Sequence, residues 1–138
     1  MKSIMNARPY SHIINKLRSA GLRPTRQRVA LAQLLFGNGH RHVTAESLYE
    51  QAKTVNISVS LATIYNSLHQ FTEAGLLREI VLNSQRCYFD TNTDNHHHFF
   101  CEETNTLEDI SSEDVILLKL PAAPKGKSIK RIDVIIRI

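Results

Sequence analysis

The chain has 138 residues, 42% of them hydrophobic, with a formal net charge of +4 and two cysteines. That length holds one domain or two very small ones. The longest apolar runs, residues 115–118 and 134–136, are far too short to cross a bilayer, so no membrane association is expected. Asn6, Arg8 and Pro9 interrupt the stretch after Lys2, so no secretory leader is expected either. Cys87 and Cys101 have thirteen residues between them and form no CxxC pair, which argues against a disulfide framework and makes the cytoplasm the expected compartment. The charge is uneven. Residues 1–88 carry eleven Lys or Arg against four Asp or Glu, a net of +7, while residues 89–138 carry six against nine, a net of −3. A polyanion-binding module joined to a cation-binding one fits that division.

Short helices come first. Ser11 can cap a helix to about residue 20, with Ile13, Ile14 and Leu17 on its apolar face and Gly21 as its stop. Thr25 can cap a second, with Val29, Leu31, Ala32, Leu34 and Leu35 buried and Gly37 ending it. Thr44 can cap a third, through Leu48, Tyr49 and Ala52. Ser60 opens a fourth, with Leu61, Ile64, Tyr65, Leu68 and Phe71 at helical spacing and Gly75 as its stop.

The period then changes. Residues 76–82 and 86–89 read as two strands around an Asn83-Ser84 turn. Helices followed by a hairpin outline a winged helix-turn-helix, whose last helix before the hairpin enters the major groove. Residues 91–95, Thr-Asn-Thr-Asp-Asn, read as a hinge. Strands are expected at 96–102, 106–110 and 129–138, while 115–120 is strand or helix and 121–126 a loop. The expected fold is α+β: a winged-helix DNA-binding domain over 1–90, the hinge, and a small α/β dimerisation and sensing domain over 96–138. Its sheet is too small to bury its own face, which implies a homodimer.

His96, His97 and His98 are consecutive, followed by Phe99, Phe100 and Cys101. On a strand, His96 and His98 share one face and His97 takes the other. Two imidazoles about 7 Å apart on one face can converge on a single metal when other segments complete the shell. In the fourth helix, Ser60, Thr63, Asn66 and Ser67 offer hydroxyls and an amide, and Tyr65 a ring and a hydroxyl, for reading bases. Arg23, Arg26, Arg28, Arg41 and Lys53 are nearby cations for phosphate contact.

Residues 20–28 (AGLRPTRQR), 42–49 (HVTAESLY) and 60–68 (SLATIYNSL), with Phe71 and 74–76 (AGL), resemble the ferric uptake regulator (Fur) family in order, spacing and content. The resemblance covers almost the whole chain. It implies a dimeric, metal-sensing, winged-helix regulator, mainly a repressor, that binds a double-stranded DNA operator, and not an enzyme. It also implies that Tyr65 meets a thymine and Arg23 the minor groove or backbone. Asn66 stands where many members have Arg, which suggests amide readout of adenine.

The resemblance further implies a sensor made of His42, Asp90, His96, His98 and Asp109. Imidazoles mixed with carboxylates suit one divalent ion per subunit, iron(II) or manganese(II), with zinc also able to bind. Other features depart from the family. Cys101 is followed by Glu102, Glu103 and Thr104, so a four-sulfur zinc site cannot form, and Asn95 replaces a histidine of a second site. The triplet, the missing CxxC, Tyr65-Asn66 and the short tail most resemble the iron response regulator (Irr) branch. In that branch a histidine triplet is associated with haem, here His96, His97 and His98, and the genes controlled serve iron and haem homeostasis. Asp90 and Asp109 as ligands also resemble a peroxide-sensing branch. A small non-haem iron enzyme is the remote alternative, and no substrate cleft suggests one.

Overall fold

A computed structural model describes residues 10–83 and 85–138. Ser84 of the expected turn, together with Lys2, Asn6, Arg8 and Pro9, lies outside the described residues. The chain divides into two compact units, the first ending at Thr93 and the second spanning Asp94–Ile138.

Four helices of the first unit, α1 (Ser11–Ser19), α2 (Arg26–Phe36), α3 (Ala45–Thr54) and α4 (Leu61–Glu73), begin and end for identifiable reasons. Thr25 Oγ1 accepts the Arg28 N–H at 3.2 Å. Thr44 and Ser47 form a reciprocal capping box, each hydroxyl accepting the other's backbone N–H at 3.0 Å. Ser60 Oγ accepts the Thr63 N–H at 3.1 Å. Ser11 is not a cap: Tyr10 holds that place and makes no side-chain cap bond, and Ser11 is the first residue of the helix. Three helices close alike. At α4, Leu76 N–H donates to the Phe71 carbonyl and Gly75 N–H to Thr72, with Gly75 at φ +83°. Gly21 closes α1 by the same pattern, and Asn56, at φ +61°, closes α3.

The helices bury one stripe each. Ile13, Leu17, Leu31, Leu35, Leu48, Ile64, Leu68 and Phe71 are completely enclosed, in one cluster with Val43, Leu77 and Phe89. Full burial of each such side chain stabilises by roughly 1.5–3 kcal/mol. The sheet of this unit runs β1 (His42–Val43), β3 (Arg86–Asp90), β2 (Arg78–Asn83), all antiparallel. The two-residue β1 was not expected, because so short a strand has no period to read. β2 starts two residues later than expected, since Gly75 and Leu76 complete the helix stop.

The second unit has a sheet ordered β5 (Thr106–Ile110), β4 (His97–Cys101), β6 (Ile135–Arg137), with β5 antiparallel and β6 parallel to β4. Phe100 and Ile110 are its buried apolar residues. Two expectations are corrected here. The strand expected over 129–138 is confined to three residues, because only His98, Phe99 and Phe100 of β4 pair with it. Residues 115–120 form neither strand nor helix; a 3₁₀ turn at Ser112–Asp114 precedes them, and Ile116 and Leu118 are exposed. β4 also begins at His97, so His96 directly precedes the strand. No helix of the described residues is long and apolar enough to cross a membrane.

Removing the Thr44 hydroxyl leaves an N–H at the start of α3 without its side-chain acceptor. Thr44→Ala is expected to lower stability by about 1 kcal/mol, read as a lower urea midpoint at unchanged slope in metal-free chain.

Candidate metal centre and nucleic-acid interface

Asp90 ends the central strand of the first sheet, and its neighbours follow from register. His42 of β1 and Arg78 of β2 stand directly opposite it on either side. Its side chain is almost completely enclosed, and buried carboxylates need partners. Oδ2 lies 3.1 Å from His42 Nε2, and Oδ1 accepts the Asn92 N–H at 2.9 Å. The edge is tied again next door: Thr91 Oγ1 accepts the Arg41 N–H at 2.8 Å, and Thr91 N–H donates to the Arg41 carbonyl at 3.0 Å.

The second unit gathers three more of the expected residues. Asp109 of β5 pairs with His98 of β4 in register, so both side chains leave the same face. Asp109 Oδ1 lies 3.2 Å from His98 Nε2 and 3.2 Å from His96 Nε2. The two imidazoles, both buried, have ring centroids 4.5 Å apart. His96 Nδ1 is 2.6 Å from the Asp94 carbonyl. A carbonyl only accepts, so Nδ1 carries the proton and Nε2 keeps the lone pair a metal needs. The ligand atoms of His96, His98 and Asp109 lie within 4.8 Å of one another. Two ligands about 2.2 Å from one ion at right angles would be about 3.1 Å apart, close to the His–Asp spacings found. Nitrogen and carboxylate donors without sulfur fit a divalent first-row ion. Glu108 pairs with Phe99 on the other face, as its neighbour's alternation requires.

His97 stands apart from that trio. Its Nδ1 accepts the Val134 N–H at 3.1 Å, and its ring lines a pocket of about 350 Å³ with Asn95, Leu117, Ile129, Lys130 and Arg131.

On α4, Tyr65 and Asn66 are exposed. Ser60 and Thr63 bond to each other, Ser60 Oγ to Thr63 Oγ1 at 3.0 Å, so their hydroxyls hold the start of the helix. Ser67, expected on the reading face, is buried because it shares the stripe of Ile64, Leu68 and Phe71. Arg23 is exposed. The guanidinium of Arg41 donates to the Leu34 carbonyl at 3.0 Å and to Gln51 Oε1 at 2.8 Å. Arg28 donates to the Arg23 carbonyl and to Gln70 Oε1. Arg78, opposite Asp90, escaped the sequence reading. Its signal was present, since it shares a two-residue period with buried Ile80 and Leu82.

The cysteines differ in chemistry. Burial, then a hydrogen bond with Glu79 and that residue's charge, pushes the Cys87 thiol up to about 12. Hydrogen bonds from Thr104 hold Cys101 below its ordinary value. A thiol reacts as its thiolate, whose fraction rises only as pH approaches the pKa. Iodoacetamide at pH 8 is therefore expected to label Cys101 well before Cys87, with labelling at Cys87 growing toward pH 11; mass mapping reads both. For the imidazole–carboxylate trio, Asp109→Ala is expected to weaken manganese(II) binding by more than about ten-fold, measured by calorimetry.

A model of the ferric uptake regulator family matches residues 19–137. The peroxide-responsive repressor PerR of Staphylococcus aureus is 38% identical over 96 residues, 70% of this chain and 64% of that protein, so the chain spans under two thirds of the relative it matches. The structure of the ferric uptake regulator from Pseudomonas aeruginosa with manganese superposes at a TM-score of 0.67, with 25% identity over 90% of this chain and 94% of that one. The Vibrio cholerae ferric uptake regulator gives 0.70, at 21% identity over 91% and 97%. The fold is the α+β one expected, and the family model covers far more than half the residues: the chain belongs to the ferric uptake regulator family.

Proposed function

We propose that this chain is a homodimeric, metal-responsive transcription regulator, mainly a repressor, that binds an operator through α4 and is not an enzyme. The observation that carries the sensing half is Asp109 held between the Nε2 atoms of His96 and His98, at 3.2 Å from each. His42 and Asp90 form a second imidazole–carboxylate pair at 3.1 Å. One divalent ion per subunit is held by His96, His98 and Asp109, to which the family resemblance adds His42 and Asp90; iron or manganese suits that donor set, with zinc as a competitor. A bound ion would supply positive charge that fixes its ligand side chains. Similarity to a regulator solved with manganese supports this reading.

The reading surface consists of Tyr65 and Asn66, with Ser60 and Thr63 setting the start of the helix and Arg23 on the backbone. The exposed apolar side chains Ile116, Leu118, Ile136 and Ile138 of the second unit support pairing with another copy. The cytoplasm is the compartment such a regulator needs.

Two signals fit the site. Iron or haem status, as in the Irr branch, is favoured by the pocket at His97, which combines apolar Leu117 and Ile129 with cationic Lys130 and Arg131. Those are the walls and counter-charges a haem would need. Peroxide is favoured by the 38% identity to a peroxide-responsive repressor.

Binding of a promoter fragment, titrated separately with haem, manganese(II) and zinc(II), distinguishes these. Loss of binding on adding haem, abolished by His97→Ala, supports the haem signal. Binding that needs manganese(II), ignores haem and is lost with hydrogen peroxide supports the peroxide signal. No binding under any condition would refute the regulator reading.

A further inference from the structure

Tyr65 projects from the exposed face of α4, yet its hydroxyl is engaged. It donates to Glu46 Oε2 at 2.6 Å, across nineteen residues of sequence and between the two helices of the helix-turn-helix. Glu46 lies in the first turn of α3, where the helix N-terminus favours a carboxylate. That turn is itself fixed by the Thr44–Ser47 capping box. The acceptor is therefore anchored to a capped helix. A hydroxyl donating to a carboxylate at this distance belongs to the short, charge-assisted class. The bond to Glu46 is also the main cause holding the phenol above its ordinary pKa, so the hydroxyl remains a donor through the neutral range. Electrostatics alone would not place an acidic side chain beside a helix that approaches phosphates.

We infer that Glu46 is a positioning residue for DNA reading: it fixes the ring of Tyr65 against a thymine methyl group, setting sequence preference without touching a base. The inference rests on the assignment of α4 as the reading helix. Without its acceptor the ring samples other rotamers, and ordering it on DNA weakens binding.

The test uses the full chain with manganese(II), a duplex it selects from a random-sequence pool, and copies with each thymine in turn replaced by deoxyuridine, which removes only the methyl group. Wild type is expected to lose affinity at one thymine of each half-site. E46A loses roughly three- to ten-fold on the thymine duplex and no longer distinguishes thymine from uracil there, whereas E46Q, which keeps a carbonyl acceptor, stays within about two-fold. The thymine-to-uracil ratio is the readout, because a lost negative charge alters non-specific affinity without altering that ratio. Y65F, which cannot donate, is expected to match E46A, and adding E46A to Y65F changes nothing more. Equal thermal midpoints for E46A and wild type separate positioning from a folding defect. E46A that retains the thymine preference, or that weakens both duplexes equally, overturns the inference alone. A wild-type chain that selects no duplex overturns the regulator reading and the inference together.

Discussion

Burying an imidazole or a carboxylate without partners costs roughly 2–7 kcal/mol or more. This chain buries Asp90, His96 and His98 together with Arg78. Each of the three ligand candidates has polar company: His42 at 3.1 Å from Asp90, the Asp94 carbonyl on His96 Nδ1, and Asp109 at 3.2 Å from His98. The strands make this arrangement unavoidable. His42 and Arg78 flank Asp90 because the sheet order is β1-β3-β2, and Asp109 meets His98 because β5 pairs with β4 in that register. A one-residue slip in either sheet would turn these side chains to the other face. Register is thus a condition of the site as much as of the fold.

The first unit is braced at its core and at its helix ends. Its core is a single cluster, and its helices are closed at their ends by side-chain caps and Schellman turns. On the exposed side of α4, the Ser60–Thr63 bond holds the start of the helix, Glu46 holds Tyr65 and Arg28 holds Gln70. The second unit is smaller, with two buried apolar residues and Ile116, Leu118, Ile136 and Ile138 in the open.

Much of this was legible in the residues. The caps Thr25, Thr44 and Ser60 and the stops Gly21 and Gly75 bracket helices whose apolar stripes have the right period, because those signals are local. Strand β5 stands where alternation put it. What failed was decided by tertiary pairing. β1 exists only because β3 pairs with it, and the tail is a strand only where β4 pairs with it. Tyr10, not Ser11, occupies the cap position of the first helix, without a side-chain cap bond, so a favourable residue type did not settle the boundary. At the site, the alternation of His96 and His98 foretold their convergence, and Asp109 followed from the family resemblance. The burial of Arg78 was readable from its two-residue period with Ile80 and Leu82, but its pairing with Asp90 and the Tyr65–Glu46 bond required the fold, since the partners are twelve and nineteen residues apart.

The imidazoles and carboxylate of the second unit, His96, His98 and Asp109, are arranged as one ion would need them. The number of manganese(II) ions bound per chain, counted by titration with electron paramagnetic resonance in wild type and in the single changes His96→Ala and His98→Ala, tests this. One ion in wild type, with its binding weakened more than about ten-fold by either change alone, is the predicted result. No ion in wild type, or unchanged binding in both variants, would contradict it.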